Sequence, residues 1–239
     1  MTTTAQRHLT DAQIAGYHRD GYLAVPRLID ADRVEALRRL TAAFVEHSRG
    51  ISRSDAVFDL DPRHTAATPI LRRIKNPADH DPLYAWVALE SPILDVVAEL
   101  IGPSLRFHHS KLNLKGSLIG APVEVHQDAA FYPHSNDDVL AVGLLLDDAT
   151  AENGAMAVHW SAPNTSPGDR RLLINAYAAA DAVPLAADPT GSPRYGRLVR
   201  GTYPAVARRT AGEMPMPPDF SRGYTSIYEL QNEGAGPTT

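Results

Sequence analysis

Apolar residues recur at helical spacing through most of the first hundred residues of the chain. A first helix is predicted after Thr10 or Asp11, either of which can cap it, and Gly21 ends it. The next segment, YLAVPRLI, predicts a short strand. The clearest helix then follows a cap at Asp30 or Asp32. Its apolar stripe consists of Val34, Leu37, Leu40, Phe44 and Val45.

The pattern changes from helical to strand-like near residue 103. Before that point, residues 49–70 mix polar and turn residues and are predicted to form a loop, and residues 81–102 predict two short helices broken at Pro92 and ended by Gly102. Short apolar runs separated by Gly, Pro, Asn and Asp then follow, which is typical of an antiparallel sandwich or barrel. These runs are LRFHHSKLNLKG, VEVHQDAAFY, VLAVGLLLDD, AMAVHWS and RRLLINAYAAAD.

The order of these elements predicts an α+β fold, with helices packed on one face of a double-sheet β core. We expect a single domain over residues 1–239. Its parts are a mainly helical region (1–102), a β core with the functional site (103–183) and a loop-rich region (184–239).

Composition narrows the class of protein. The 239 residues are 44% hydrophobic and 21% charged, enough for a sizeable core, and the net charge of −5 gives no reason to expect nucleic acid or an anionic membrane as partner. The absence of cysteine excludes disulfides and thiolate metal sites. Without a secretory signal or a long apolar stretch, the expectation is a cytoplasmic protein that acts on a small molecule.

Two metal-ligand residues stand together in the run VEVHQDAAFY. His126 and Asp128 occupy positions i and i+2, so both would point to one face of a strand and reach one metal ion. Alone, such a pair is also compatible with a polar strand end. A later histidine would complete a 2-His-1-carboxylate triad, which holds Fe(II) and leaves three positions open. His159, in the segment HWSAPNTSPGDRR, is the candidate.

The sequence around these residues resembles the phytanoyl-CoA dioxygenase family of Fe(II)/2-oxoglutarate oxygenases. The resemblance includes H-x-S-x-P-N-x-S from His159, an arginine eleven residues later at Arg170, and the segments LTDAQIAGYHRDGYLAVPRLI, RRIKNPADHDPLY, SKLNLKG and ENGAM. It implies a jelly-roll, double-stranded β-helix core and the use of Fe(II), 2-oxoglutarate and molecular oxygen. It further implies that Arg170 binds the far carboxylate of 2-oxoglutarate and that Lys75 assists. Asp128 argues against halogenation, because halogenases of this kind carry a small residue there.

Other residues near the motif have more than one interpretation. Ser161 lies two residues beyond His159, and its hydroxyl could share the carboxylate of 2-oxoglutarate. Lys111 and Lys115 could engage an anionic substrate, although a solvated face is the simpler interpretation. Three aromatic residues are either core or substrate-pocket walls: Phe131, Tyr132 and Trp160. Three histidines near the motif are interpreted as partly exposed residues or as residues that support the site, and not as metal ligands: His108, His109 and His134.

The function expected from this resemblance is hydroxylation of a small organic substrate, such as a secondary-metabolite scaffold or an acyl or amino-acid derivative, by a monomer or homodimer. The same cofactors could also serve desaturation, cyclisation or epimerisation. A non-catalytic relative or a cupin-like binding module is the remaining alternative. Asp128 and His159 are only 31 residues apart, shorter than the resemblance implies, so an extra loop and strand near Val158 are predicted to be missing from the chain.

Overall fold

The computed structural model describes residues 7–117, 126, 128, 131–153, 156–157, 160–188 and 190–212. The α-helices are α1 (Asp11–Asp20), α2 (Ala31–His47), α3 (Pro82–Leu89) and α4 (Ile93–Ile101). The strands are β1 (Phe58–Leu60), β2 (Leu71–Lys75), β3 (Leu105–Lys115), β4 (Val139–Leu145), β5 (Met156–Ala157), β6 (Trp160–Ser161), β7 (Arg170–Ala179) and β8 (Leu198–Arg200). No helix in the described ranges combines the length and apolarity needed to cross a membrane.

The long strands form one antiparallel sheet in the order β1-β2-β3-β7-β4, with β8 paired to β3. Strands β5 and β6 form a separate two-stranded ladder. The centre of the large sheet is the β3–β7 pair, which runs from Leu105 opposite Ala179 to Lys115 opposite Arg170. One bulge interrupts this register between Phe107 and His109.

The two faces of this sheet have different environments, because successive side chains of a strand point to opposite faces. On β7, Leu173 and Tyr177 are fully buried in the core shared with the helices. The Tyr177 hydroxyl donates a hydrogen bond to the Ala88 carbonyl of α3, 2.9 Å away. The alternate residues, from Arg170 to Ala176, face a cavity instead. The helices therefore cover one face, and the other face is left to form a site.

Local sequence explains the helix boundaries. Thr10 and Gln13 form a capping box at the start of α1, and Gly21 ends it in the left-handed conformation with φ 78°. The side chains of Asp30 and Asp81 accept from backbone N–H groups at the starts of α2 and α3. These caps satisfy N–H groups that have no partner within the helix.

Two predictions of secondary structure are wrong. The segment YLAVPRLI is not a strand: Pro26 lacks an N–H donor and Arg27 adopts φ 60°, so the chain turns there. The predicted loop 49–70 contains β1. The loop-rich C-terminal region includes the three-residue strand β8. The predicted strand VEVHQDAAFY and the proposed gap near Val158 lie largely outside the described residues.

Candidate metal and co-substrate site

His126 and Asp128 lie side by side on the wall of the cavity. The distance from His126 Nε2 to Asp128 Oδ1 is 3.5 Å, and both side chains are half-buried. The carbonyl of Asp128 accepts hydrogen bonds from the backbone N–H groups of Phe131 and Tyr132, at 2.9 and 3.3 Å. This turn fixes the Asp128 backbone, and the Phe131 ring packs edge-on against His126.

The carboxyl group of Asp128 is held in its ionised form. Burial would raise its pKa, but the charge of Lys111 and hydrogen bonds from His126 and Tyr132 lower the pKa well below its ordinary value. One imidazole nitrogen and one carboxylate that converge on a cavity are donors that fit Fe(II). The third predicted ligand, His159, lies outside the described residues, and no cluster of three metal-binding side chains occurs within them.

Arg170 begins β7 at the floor of the same cavity. Its side chain is 2% exposed and lies opposite Lys115 of β3. The next residue, Arg171, points to the other face and makes a bidentate ion pair with Asp147, at 2.6 and 2.8 Å. Alternation along β7 thus gives two adjacent arginines different surroundings, and Arg170 is the one that can meet a carboxylate in the cavity.

Lys115 ties the floor of the cavity to strand β6. Its ammonium group donates hydrogen bonds to the carbonyl oxygens of Ser161, at 3.2 Å, and Ala162. Burial and the neighbouring charge of Arg170 lower the pKa of Lys115 to about 8. Ser161 is buried and also lines the cavity, so the structure brings it to the Arg170 end.

Lys75 also reaches the cavity wall, from β2. It lies opposite Lys111 of β3, but its ammonium donates to the Asp55 carbonyl, 2.8 Å away. Phe131 and Tyr132 line the cavity beside Asp128. The backbone of Trp160 belongs to β6, and its side chain is outside the described part of the structure.

His109 and Lys111 are cavity residues whose position the sequence did not reveal. Of the two interpretations of His109, the partly exposed one is wrong, because this side chain is only 6% exposed although it lines the cavity. The bulge beside it decides which way the ring points, and no turn residue in FHHSK signals a bulge. His108 and His134 line a small void together, and His134 also lines the large cavity.

The described residues line a cavity of about 1600 Å3, and the wall of this cavity is strongly basic. The acidic side chains on it are Asp128 and Asp137. The basic ones are Arg27, Arg73, Lys75, Lys111, Lys115 and Arg170. A wall of this composition favours anionic ligands, and it contains the residue predicted to bind 2-oxoglutarate.

Comparison with known proteins agrees with this chemistry. A "probable alpha-ketoglutarate-dependent hypophosphite dioxygenase" of Stutzerimonas stutzeri is 26% identical, over 90% of this chain and 94% of the relative. That alignment spans 275 residues, more than the 239 of this chain, so the relative carries segments that are missing here. An L-proline trans-4-hydroxylase of Streptomyces griseoviridis is 28% identical over 63% of this chain and 53% of its own.

The fold also matches that of a solved iron protein. The crystal structure of EctD from S. alaskensis with bound iron has a TM-score of 0.67 and 18% identity, and the match covers 88% of this chain and 90% of the other. The predicted α+β jelly-roll class is thereby confirmed. The predicted enzyme class, a non-haem iron dioxygenase with 2-oxoglutarate as co-substrate, is confirmed as well. The family model for phytanoyl-CoA dioxygenase (PhyH) matches residues 17–159, and the chain belongs to that family.

Proposed function

We propose that this enzyme hydroxylates a small molecule at a site where His126, Asp128 and His159 hold Fe(II) and Arg170 anchors 2-oxoglutarate. The observation that carries the proposal is the convergence of His126 and Asp128, 3.5 Å apart, on the same cavity as the buried Arg170. Relatives named for hypophosphite and for L-proline support a small substrate.

The charged residues of the proposed site have different roles. When bound, Fe(II) and 2-oxoglutarate together activate molecular oxygen, and the co-substrate is converted to succinate and CO2 as the substrate is oxidised. Asp128 contributes an ionised carboxylate that offsets the charge of the metal. Arg170 offers a planar fork that remains charged when buried and can pair with the far carboxylate of 2-oxoglutarate. We assign Ser161 and Lys75 supporting roles toward the co-substrate.

Apolar residues between the charged groups exclude water from the reaction. Leu172 and Ile174 of β7 face the cavity between Arg170 and the level of Lys111. Phe131 covers His126 from the other side. A dry surface of this kind strengthens the electrostatic interactions within the site and protects the reaction from competing hydrolysis.

Anaerobic titration with Fe(II) and 2-oxoglutarate tests the proposal. The wild-type protein is expected to develop the visible charge-transfer band of the chelated metal. His126→Ala and His159→Ala should each abolish the band, because two protein ligands hold the metal poorly. His80→Ala is a matched control, since His80 is exposed and does not belong to the described cavity wall. No band in the wild-type protein after full metal loading would refute the proposed function, and a normal band in His159→Ala would show that another group is the third ligand.

A further inference from the structure

Lys111 carries a charge into the centre of the cavity. It is half-buried on β3, faces the cavity opposite Ile174, and has no hydrogen bond or ion pair to any residue that the structure describes. Its neighbour across the sheet, Lys75, has its ammonium group on the Asp55 carbonyl. Lys111 and Asp128 line the same cavity. Lys111 is therefore a cation on the same wall as the proposed metal ligand.

His109 stands two residues before Lys111 on the same face of β3. The bulge at Phe107–His109 places the rings of His108 and His109 in contact, with their Nδ1 atoms 2.8 Å apart. Two nitrogens at that distance share one proton, so one ring donates and the other accepts. Both rings are buried, which makes a charged imidazolium costly, so each ring carries a single proton.

The surroundings of His108 decide which ring donates. Its Nε2 atom is buried without a hydrogen-bond partner in the described structure and lines a small void with Arg106. Arg106 supplies only N–H donors, and its Nε is also buried without a partner there. The positive charge of Arg106 on this void favours a lone pair on His108 Nε2 over a second N–H. His108 therefore donates from Nδ1, and His109 keeps its proton on Nε2.

Charge balance identifies what these two groups can hold. The charges of Fe(II), the Asp128 carboxylate, a 2-oxoglutarate dianion and the Arg170 guanidinium cancel one another. Among the residues that the structure describes, Lys111 forms no ion pair, so its charge remains available on this wall. Arg170 lies opposite Lys115, four residues along β3 from Lys111, which is about 13 Å at the rise of a strand. The two ends of the cavity floor can thus bind separate anionic groups.

We propose that Lys111 and His109 form the substrate subsite and that the substrate carries a small oxyanion group, such as a phosphinate, phosphonate or carboxylate. One oxygen accepts from the Lys111 ammonium and another from His109 Nε2–H, beside Asp128. The centroid of the Tyr132 ring lies 4.7 Å from that of His108 and 5.4 Å from that of His109. This packing keeps the His109 donor in place. This inference rests on the proposed function and adds the substrate class to it.

Calorimetry with matched ligands tests the subsite. Acetate, its neutral counterpart acetamide, and hypophosphite are titrated into the protein with and without Fe(II) and 2-oxoglutarate under anaerobic conditions. The wild-type protein is expected to bind both anions at least tenfold more tightly than acetamide. Lys111→Met should weaken anion binding at least tenfold, since a hydrogen bond to a charged group is lost, and Lys111→Arg should retain it. Arg27→Met is the control: it removes a different cation from the same cavity wall and should bind the anions normally.

Two further readouts make the proposal refutable. In all Lys111 variants the charge-transfer band should form at the same concentration of 2-oxoglutarate as in the wild-type protein. If Lys111→Met weakens the binding of 2-oxoglutarate but not the binding of the anions, Lys111 binds the co-substrate and the proposal is overturned. Equal affinity for acetate and acetamide would also overturn it. Loss of the band in the wild type, with Lys111-dependent anion binding intact, refutes only the proposed function. Nitrogen-15 NMR should show His109 protonated on Nε2, and protonation on Nδ1 would remove it from the subsite.

Discussion

Adjacent residues of the chain can have opposite chemical roles, and Arg170 and Arg171 show how a strand produces this. Arg170 lies on the cavity floor, whereas Arg171 is held by Asp147 on the opposite face. The alternation of the strand makes this difference predictable once the register is known. The family resemblance pointed to Arg170 and not Arg171, through the spacing of eleven residues from His159.

Replacement of each arginine should separate the two roles. We expect Arg170→Ala to raise the concentration of 2-oxoglutarate required at least tenfold, because a charge-assisted hydrogen bond contributes about 1.5–3 kcal/mol. Its Fe(II) requirement should change little. Arg171→Ala should leave the 2-oxoglutarate requirement unchanged and lower the free energy of unfolding by about 1 kcal/mol, through loss of a partly exposed ion pair. The reverse ranking of the two variants in an anaerobic titration would show that Arg171 binds the co-substrate.

The histidine pair on β3 shows where inference from sequence stops at this scale. His126 and Asp128 could be recognised because their spacing needs only strand alternation or the family motif. The arrangement of His108 and His109 depends on a bulge, which places two consecutive rings in contact instead of on opposite faces. Nothing in the residue types required the bulge. The donor in the cavity therefore became visible only with the structure.

Burial of these histidines predicts sensitivity to acid. Burial, with the charge of His134 second, lowers the pKa of His108 to about 3, and burial lowers that of His109 in the same direction. In the unfolded chain these two histidines take up protons near pH 6.5, but in the folded protein they do not. The free energy of unfolding therefore decreases as the pH falls below that value. We expect the free energy of unfolding to fall by about 1.4 kcal/mol per pH unit for each such histidine.

Urea unfolding between pH 7 and pH 5 measures this slope. His108→Phe should remove the contribution of one proton and leave a shallower dependence. Phe107→Leu is a suitable control, since Phe107 is equally buried one residue earlier and has no proton to exchange. Its curve should be displaced at all pH values without a change of slope. Identical slopes for His108→Phe and the wild type would mean that His108 is charged in the folded protein.

At the scale of elements, long periodic segments were predictable and short ones were not. The apolar stripe of α2 and the eleven-residue run of β3 carry their own pattern. Strands β1 and β8 have three residues each and lie in polar or Pro-rich stretches. They exist because β2 and β3 offer edges for pairing, which is tertiary information. β8 nevertheless matters, because it covers the strand that carries the histidine pair.

A glycine at the end of β8 should be essential for this pairing. Gly201 has φ 70°, and an added Cβ atom would lie 2.6 Å from the Pro103 carbonyl oxygen. Gly191 has a similar φ of 67° but open space around it. Both alanine variants meet the cost of left-handed backbone, about 1 kcal/mol. Gly201→Ala should lose roughly 1–3 kcal/mol more because of the clash. Equal midpoints of urea unfolding for the two variants would contradict this packing of β8 against β3.

At the scale of the whole molecule, the proposed site joins parts of the chain that are distant in sequence. β3 contributes Lys111, β7 contributes Arg170, and the segment between β3 and β4 contributes His126 and Asp128. Lys115 adds a bond from β3 to β6. Ligands held by several elements bind the folded protein and not the unfolded chain, so they stabilise the whole fold.

Thermal unfolding should therefore report each component of the site in turn. At one hundred times the dissociation constant, a ligand adds about 2.7 kcal/mol, which raises the Tm by roughly 5–10 °C for a chain of this size. We expect Fe(II) to give one increase and 2-oxoglutarate a second that requires the metal, and both to be reversed by EDTA. His126→Ala should lose both increases, whereas Arg170→Ala should keep the first and lose most of the second. An increase with 2-oxoglutarate that survives EDTA would mean that the co-substrate binds away from His126 and Asp128. The basic wall would then be an anion site separate from the metal.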